Sequence, residues 1–181
     1  MRRRLFKNLV TAPSTEPISE EEPAVLDAAG AALRGAIARR LGRSLAIREV
    51  DSGSCNGCEL EIHALSNAFY DVERFGIRFV ASPRHADVLL VTGPVTHNMR
   101  EALERTYAAT PAPKWVVAVG DCGAGCGVFA NSYACVGAVS KVLPVDLVIR
   151  GCPPTPTDLL QGLLWLISDS AARVATDASR P

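Results

Sequence analysis

The chain lacks an excess of charge of either sign: 19 Lys+Arg balance 19 Asp+Glu across 181 residues, a formal net charge of zero. Without a basic surplus there is no electrostatic footprint for nucleic acid, and no nucleic-acid partner is expected. It also lacks any uninterrupted apolar run of the ~18–20 residues needed to span a bilayer. Met1-Arg2-Arg3-Arg4 has the look of a basic leader, but the apolar run behind it, Leu5 to Val10, is short and broken by Lys7 and Asn8. A secretory signal is therefore not expected. No P-loop, GxGxxG, GxSxG or HExxH occurs, which removes the best-marked nucleotide, acyl-transfer and zinc-protease chemistries. Internal repeats and low-complexity tracts are missing as well.

What is present is a globular composition, 48% hydrophobic against 21% charged, in a length suited to one domain with tails. Six cysteines stand out, and without a leader they read as thiols kept reduced for chemistry. Two of them sit three positions apart in Asp51-Ser52-Gly53-Ser54-Cys55-Asn56-Gly57-Cys58-Glu59-Leu60-Glu61-Ile62. Here a small-residue loop joins an expected strand, 45–50, to an expected helix, 59–69. Such a CxxC turn puts both sulfurs on one side, and the amides of a helix start favour thiolate.

Residues 1–23, punctuated by Pro13, Pro17 and Pro23, are expected to be a flexible tail. An alanine-rich helix is expected over 24–44, with Leu26, Leu33, Ile37 and Leu41 on one stripe and Gly42 as its stop. Its Arg34, Arg39 and Arg40 read as a solvated face, with acidic lipid or a partner as the alternative. The main domain is expected over 45–171 and a polar tail over 172–181. Continuous apolar runs at 86–92 and 115–119 read as strands buried on both faces. Further strands are expected at 77–80 and 145–149, and helices at 60–73, 99–107, 133–141 and 157–171. The alternation predicts an open, doubly wound α/β fold with a flavodoxin-like parallel sheet. Cys55, Cys122 and Cys152 each follow an expected strand, so their loops converge on the carboxyl edge of one sheet, where such folds bind ligands.

Cys55, Cys58, Cys122 and Cys152 are thus a pair plus two lone cysteines, separated by intervals of 63 and 29 residues. Structural zinc usually draws on two short-spaced pairs, which is lacking unless Cys122 and Cys126 act together. Thiolates from distant loops suit an iron–sulfur cubane equally well. Spacing leaves cluster and zinc both open.

Four stretches in order, GSCNGCELEIHAL (53–65), ERFGIRFVASPRHADVLLVTGPVT (73–96), VAVGDC (117–122) and PVDLVIRGCPPTP (144–156), resemble one family. It is the small cluster-bearing subunit shared by energy-converting [NiFe] hydrogenases, formate hydrogenlyase and the B subunit of NADH-quinone oxidoreductase (complex I). The resemblance covers most of residues 45–165 and implies one [4Fe-4S] cluster on Cys55, Cys58, Cys122 and Cys152. It implies docking to a large [NiFe]-hydrogenase-type (complex I 49-kDa-like) subunit, a ferredoxin-like iron–sulfur subunit nearby, and membrane subunits through the complex. The location it implies is peripheral, on the cytoplasmic face of the cell membrane. Complex I members carry two adjacent cysteines at the first motif, whereas this chain has CxxC followed by Glu59, as in the hydrogenase-type branch. Electron transfer to a hydrogenase-type partner is therefore expected, with a B subunit passing electrons to quinone, or a structural zinc protein, as alternatives.

Cys126 stands where the family usually has a small residue such as glycine, and reads as a spare thiol, a redox-sensitive neighbour or a substitute for Cys122. Cys135 reads as a small core residue of a helix. Glu59 is a candidate proton relay, with an acidic residue in a first helical turn as the alternative. His63 and His97 are weaker candidate proton carriers. Arg84 and His85 precede a strand and read as ordinary loop residues of the opposite edge, with the cysteine end as the alternative if the topology is inverted there; Asp121 beside Cys122 reads as a turn former, with adjustment of the cluster's potential as the alternative. The stripe Leu159, Leu160, Leu163, Leu164, Leu166 and Ile167 reads as core.

Overall fold

The computed structural model describes residues 21–177. Its elements, in chain order, are α1 (Glu21–Leu41), β1 (Leu45–Asp51), α2 (Gly57–Ala64), β2 (Ile77–Phe79), β3 (Val88–Thr92), β4 (Val95–Thr96) and α3 (His97–Ala109). They continue with β5 (Trp115–Val119), α4 (Gly120–Gly125), β6 (Cys135–Gly137), β7 (Leu147–Ile149) and α5 (Pro156–Asp177). Five strands form one parallel sheet in the order β2-β1-β3-β5-β7. The expected α/β architecture with a flavodoxin-like sheet is the one observed.

Alternation along the central strands sends side chains to two separate cores. Val88 and Leu90 join Leu45, Ile47, Val117 and Val119 beneath α1, α2 and α5. Leu89 and Val91 join Val116, Ala118, Leu103 and Val139 on the α3 side. Strands covered on both faces carry no polar alternation, which is why 86–92 and 115–119 read as unbroken apolar runs. The stripes expected on the first and last helices are in the core: Leu26, Leu33 and Ile37 on α1, and Leu159, Leu160, Leu163, Leu166 and Ile167 on α5.

Several boundaries differ from expectation. Residues 1–20 and 178–181 of the two expected tails lie outside the described residues. α1 opens at Glu21, two residues ahead of Pro23, because acidic residues suit a first turn and proline is tolerated there. α5 continues to Asp177, past the expected stop near 171, since the sequence offers alanines and no glycine or proline to end it. α2 ends at Ala64 rather than near 73: the Asn67 carboxamide oxygen accepts from the N–H groups of Phe69 and Tyr70 and turns the chain. The expected helix at 133–141 is instead β6 followed by a 3₁₀ turn at Val139–Lys141. β6 pairs antiparallel with β4, and Gly137 at φ +137° breaks any helical path.

At the amino edge of the sheet, Arg43 clamps Asp87. Its two nitrogens donate to the two carboxylate oxygens at 2.7 and 2.6 Å, and the Ala46 N–H donates to Oδ2 at 3.0 Å. Burial alone would raise the Asp87 carboxyl, but the Arg43 and Ala46 hydrogen bonds outweigh it and hold it below the usual range. A depressed carboxylate contributes stability that is present above its unfolded value of ~3.9 and is lost as pH falls through the lower folded value. Asp87→Asn is expected to cost about 1–2 kcal/mol at neutral pH, discounted because Arg43 is half exposed. The loss should shrink below about pH 4, as chemical denaturation of both proteins across pH 3–7 would register.

Candidate metal centre

The carboxyl edge of the sheet is built from three loops, the first tied to the end of β3 and the other two tied to each other. After β1, the Asp51 carboxylate accepts from the N–H groups of Gly53 and Ser54, both at 2.7 Å, which folds the small-residue turn. The buried Ser52 hydroxyl donates to Thr92 O at 2.6 Å, and the Thr96 N–H donates to Ser52 O at 2.9 Å. Those bonds pin the first cysteine loop to the end of β3. After β5, the Asp121 N–H donates to Gly151 O at 2.9 Å, and Gly151 N–H donates back to the Asp121 carboxylate at 3.3 Å. The Cys122 and Cys152 loops are thereby joined, so Asp121 has the turn-forming role expected of it.

These ties bring the four expected thiols into one electrostatic neighbourhood. Burial raises the Cys58 thiol, and Glu59, Cys122, Cys55 and Cys152 add to it, pushing it up to about 12. Cys122 is raised by burial and by Cys152, Cys55 and Asp121, against a lowering hydrogen bond from the Val128 backbone. Four thiolates here would repel one another, and the inner two, Cys58 and Cys122, would also lack solvent, so the arrangement favours protons or bound cations among them. None of the six cysteines is in a disulfide. Cys58 and Cys122 are buried whereas Cys55 and Cys152 are exposed, so the set runs from the core to the surface.

The backbone around the sulfurs is glycine by necessity at two points. A Cβ on Gly120, at φ +81°, would lie 2.7 Å from Cys58 Sγ. One on Gly127, at φ +45°, would lie 2.8 Å from Cys122 Sγ. Both are shorter than any ordinary van der Waals contact, so the two buried sulfurs occupy hollows that any side chain would fill. Among the described residues, no three His, Cys, Asp or Glu side chains stand where they could share a single metal ion. Thiolates around one tetrahedral zinc lie about 4 Å apart, given Zn–S bonds of ~2.3 Å. Two of the four soft donors lie in glycine-lined hollows and two at the surface, a donor set whose chemistry suits an iron–sulfur cluster as well as zinc.

The other candidates separate from this set. Cys126 is buried in the left-handed cap that ends α4 (φ 71°), and its N–H donates to Cys122 O at 2.8 Å. Cys135 lies in β6, not in the expected helix, opposite Thr96. His97 starts α3 and is exposed. Arg84 and His85 form a 3₁₀ turn ahead of β3, away from the cysteine loops. Glu59 is only 6% exposed and neither carboxylate oxygen has a hydrogen-bond partner. Its burial was not legible in the sequence, where an acidic residue in a first turn is ordinarily solvated.

The family described as NADH ubiquinone oxidoreductase, 20 Kd subunit, matches residues 55–166, more than half the chain and all four cysteines of the set. The chain belongs to this family. Formate hydrogenlyase subunit 7 of Escherichia coli is 44% identical over 140 residues, 77% of this chain and 55% of that protein. The chain therefore spans about half the length of that relative. A probable membrane-bound hydrogenase subunit (mbhJ) of Pyrococcus furiosus is 45% identical over 134 residues, 74% of this chain and 80% of that protein. Among solved structures, a chain of the membrane-bound sulfane sulfur reductase, an archaeal respiratory membrane complex, superposes with a TM-score of 0.63 at 35% identity. That likeness covers 77% of this chain and 78% of the other.

Gly120→Ala is expected to destabilise the fold by about 1 kcal/mol or somewhat more through its positive φ, and to lower bound iron at least several-fold. Iron and acid-labile sulfide per folded chain, measured after anaerobic purification, check this. Full iron in a folded Gly120→Ala protein would show that the hollow over Cys58 Sγ is not needed for iron binding.

Proposed function

We propose that this chain is an electron-transfer subunit carrying one [4Fe-4S] cluster on Cys55, Cys58, Cys122 and Cys152. It would dock beside a large [NiFe]-hydrogenase-type subunit in a membrane-associated energy-converting complex. The observation that carries the reading is the convergence of four unpaired thiols, two buried and two exposed, at the sheet edge of a chain in this family. A bound cluster supplies reversible one-electron transfer. The chain supplies the rest. Its glycines make room for the sulfurs, its loop ties fix their directions, and its cores keep water from the inner pair.

The outer side supports docking. Leu60 is 61% exposed, Val128 81% and Tyr133 97%, and Leu60 and Val128 lie within six residues of a proposed ligand. Exposed apolar side chains close in sequence to the proposed ligands suit a surface covered by a partner. Glu59 is the candidate proton relay beside the Cys58 ligand, and its buried carboxylate has no hydrogen-bond partner among the described residues. Among the described residues no helix is long and apolar enough to cross a membrane, so membrane association would come through other subunits. The proposed position is peripheral, on the cytoplasmic face, with a ferredoxin-like iron–sulfur subunit as the electronic neighbour.

Cys55-Asn56-Gly57-Cys58-Glu59 favours the hydrogenase-type branch over quinone-reducing complex I, as do the names of the two sequence relatives. One observation supports a second reading: the structural relative belongs to a sulfane sulfur reductase, so a respiratory complex need not handle hydrogen to hold such a subunit.

Isolated anaerobically through this chain, the complex should be brown, contain iron, sulfide and nickel, and reduce dyes with hydrogen. Iron with no nickel and no hydrogen uptake would move the chain to the second reading or, with quinone reduction, to complex I. A colourless complex holding only zinc would overturn electron transfer altogether. Within the chain, Cys122→Ser should lose the cluster, while Cys126→Ser and Cys135→Ser should retain full iron. The reverse result for Cys122 and Cys126 would exchange the third ligand.

A further inference from the structure

The opposite, amino edge of the sheet carries a groove that electron transfer does not use. It runs between the outer face of α1 and the 3₁₀ turn Val72–Phe75, as two hollows of about 420 and 240 Å³. Arg34, Ala38 and Phe75 line both hollows, while Arg74 stands at the first and Arg43 at the second. Phe75 and Ile37 make an apolar floor, and the Phe75 ring is seated against Gly30 of α1, where any Cβ would collide with it. From Ala31 to Gly42 the lining follows α1 to its end. At 1.5 Å per residue that is about 16 Å, the span of roughly five residues of extended chain.

The charge around this groove is one-sided. Residues 28–48 hold five arginines, Arg34, Arg39, Arg40, Arg43 and Arg48, and no Asp or Glu, although the whole chain has no net charge. Arg39 and Arg40 lie in the last turn of α1, where cations suit the helix dipole, and Arg40 also stacks over Trp115. Arg43 is held by Asp87, and Arg74 by Asp27 at 2.9 Å and by the Phe75 ring. Arg34 has no such anchor. It is exposed, about two turns ahead of the end of α1. Among the described residues its guanidinium has no ion pair, hydrogen bond or ring contact.

We propose that this groove docks an acidic, extended segment of another subunit, with a carboxylate on Arg34 and apolar side chains along Ala31, Ala38 and the Phe75 floor. The inference rests on the proposed membership of a larger complex and is independent of what the cysteines bind. Charge complementarity selects the occupant: an unpaired guanidinium between two paired ones meets a carboxylate, and no acid of the described chain supplies it. A free phosphate would meet Arg34 but leave the apolar floor bare. A short peptide that alternates acidic and apolar residues covers both, since successive side chains of an extended chain point to opposite sides. A contact of this kind at an exposed arginine adds modest affinity and mainly fixes orientation.

The test uses two substitutions at this exposed position in the assembled complex. Arg34→Lys keeps the charge and provides an amine, which a carbodiimide joins to a touching carboxylate with loss of water. Mass spectrometry should then find an amide between that amine and an Asp or Glu of another subunit, absent from the native protein because arginine does not react. Arg34→Gln should weaken the chain's hold on the complex about threefold to fivefold, and the difference should shrink at high salt. No amide, an amide only within this chain, or unchanged affinity in Arg34→Gln would overturn the proposal. Binding of the native chain to phosphatidylserine vesicles, lost in Arg34→Gln, would assign the arginine to a membrane and overturn it too. A complex that holds other subunits yet gives no such amide removes only this inference. A chain isolated with no other subunit removes the proposed docking itself, and this inference with it.

Discussion

On the proposed reading, thiolates must be brought together against their own repulsion at this edge of the sheet. Burial and the neighbouring sulfurs push Cys58 up to about 12, so in the absence of cations its thiol keeps its proton. Binding of a cationic cluster core would release those protons, and acid would oppose it. A site that gains its charge balance only on loading has to be held in shape by something else. Here that is the backbone: Ser52 fixes the first loop to β3, and Asp121 fixes the second to the third. The glycines at 120 and 127 complete the frame by keeping Cβ atoms away from the inner sulfurs.

The sheet makes that frame rigid. Three of its five strands, β1, β5 and β7, end directly in cysteine-bearing segments, and β3 between them supplies the anchoring carbonyl of Thr92. Because both faces of β3 and β5 are buried, the strand ends cannot shift independently without opening one of the two cores. The loops inherit this stiffness despite their small residues. Arg43 and Asp87 secure the opposite edge, distant from any redox role.

Much of this was legible from residue order. Unbroken apolar runs identified β3 and β5, and a cysteine placed just after each of three strands implied convergence on one edge, as the Asp121–Gly151 bonds bear out for two of the loops. What escaped was set by tertiary pairing or by single side chains. Cys135-Val136-Gly137 is too short for any period to declare it a strand, and it becomes one only because Val95 and Thr96 lie alongside. The stop of α2 depends on one carboxamide, that of Asn67.

Glu59 is where the separate features meet. A buried carboxylate without a single donor is costly in isolation, by about 1–3 kcal/mol or more for a charged group. The fold could relieve it by turning the side chain to solvent, since the neighbouring Leu60 is itself 61% exposed. Instead the apolar residue faces water and the acid faces inward. That inversion makes little sense for a free-standing chain. It is intelligible if Leu60 is covered by a partner and if the acid is kept for its place beside Cys58, whose thiol it helps to raise.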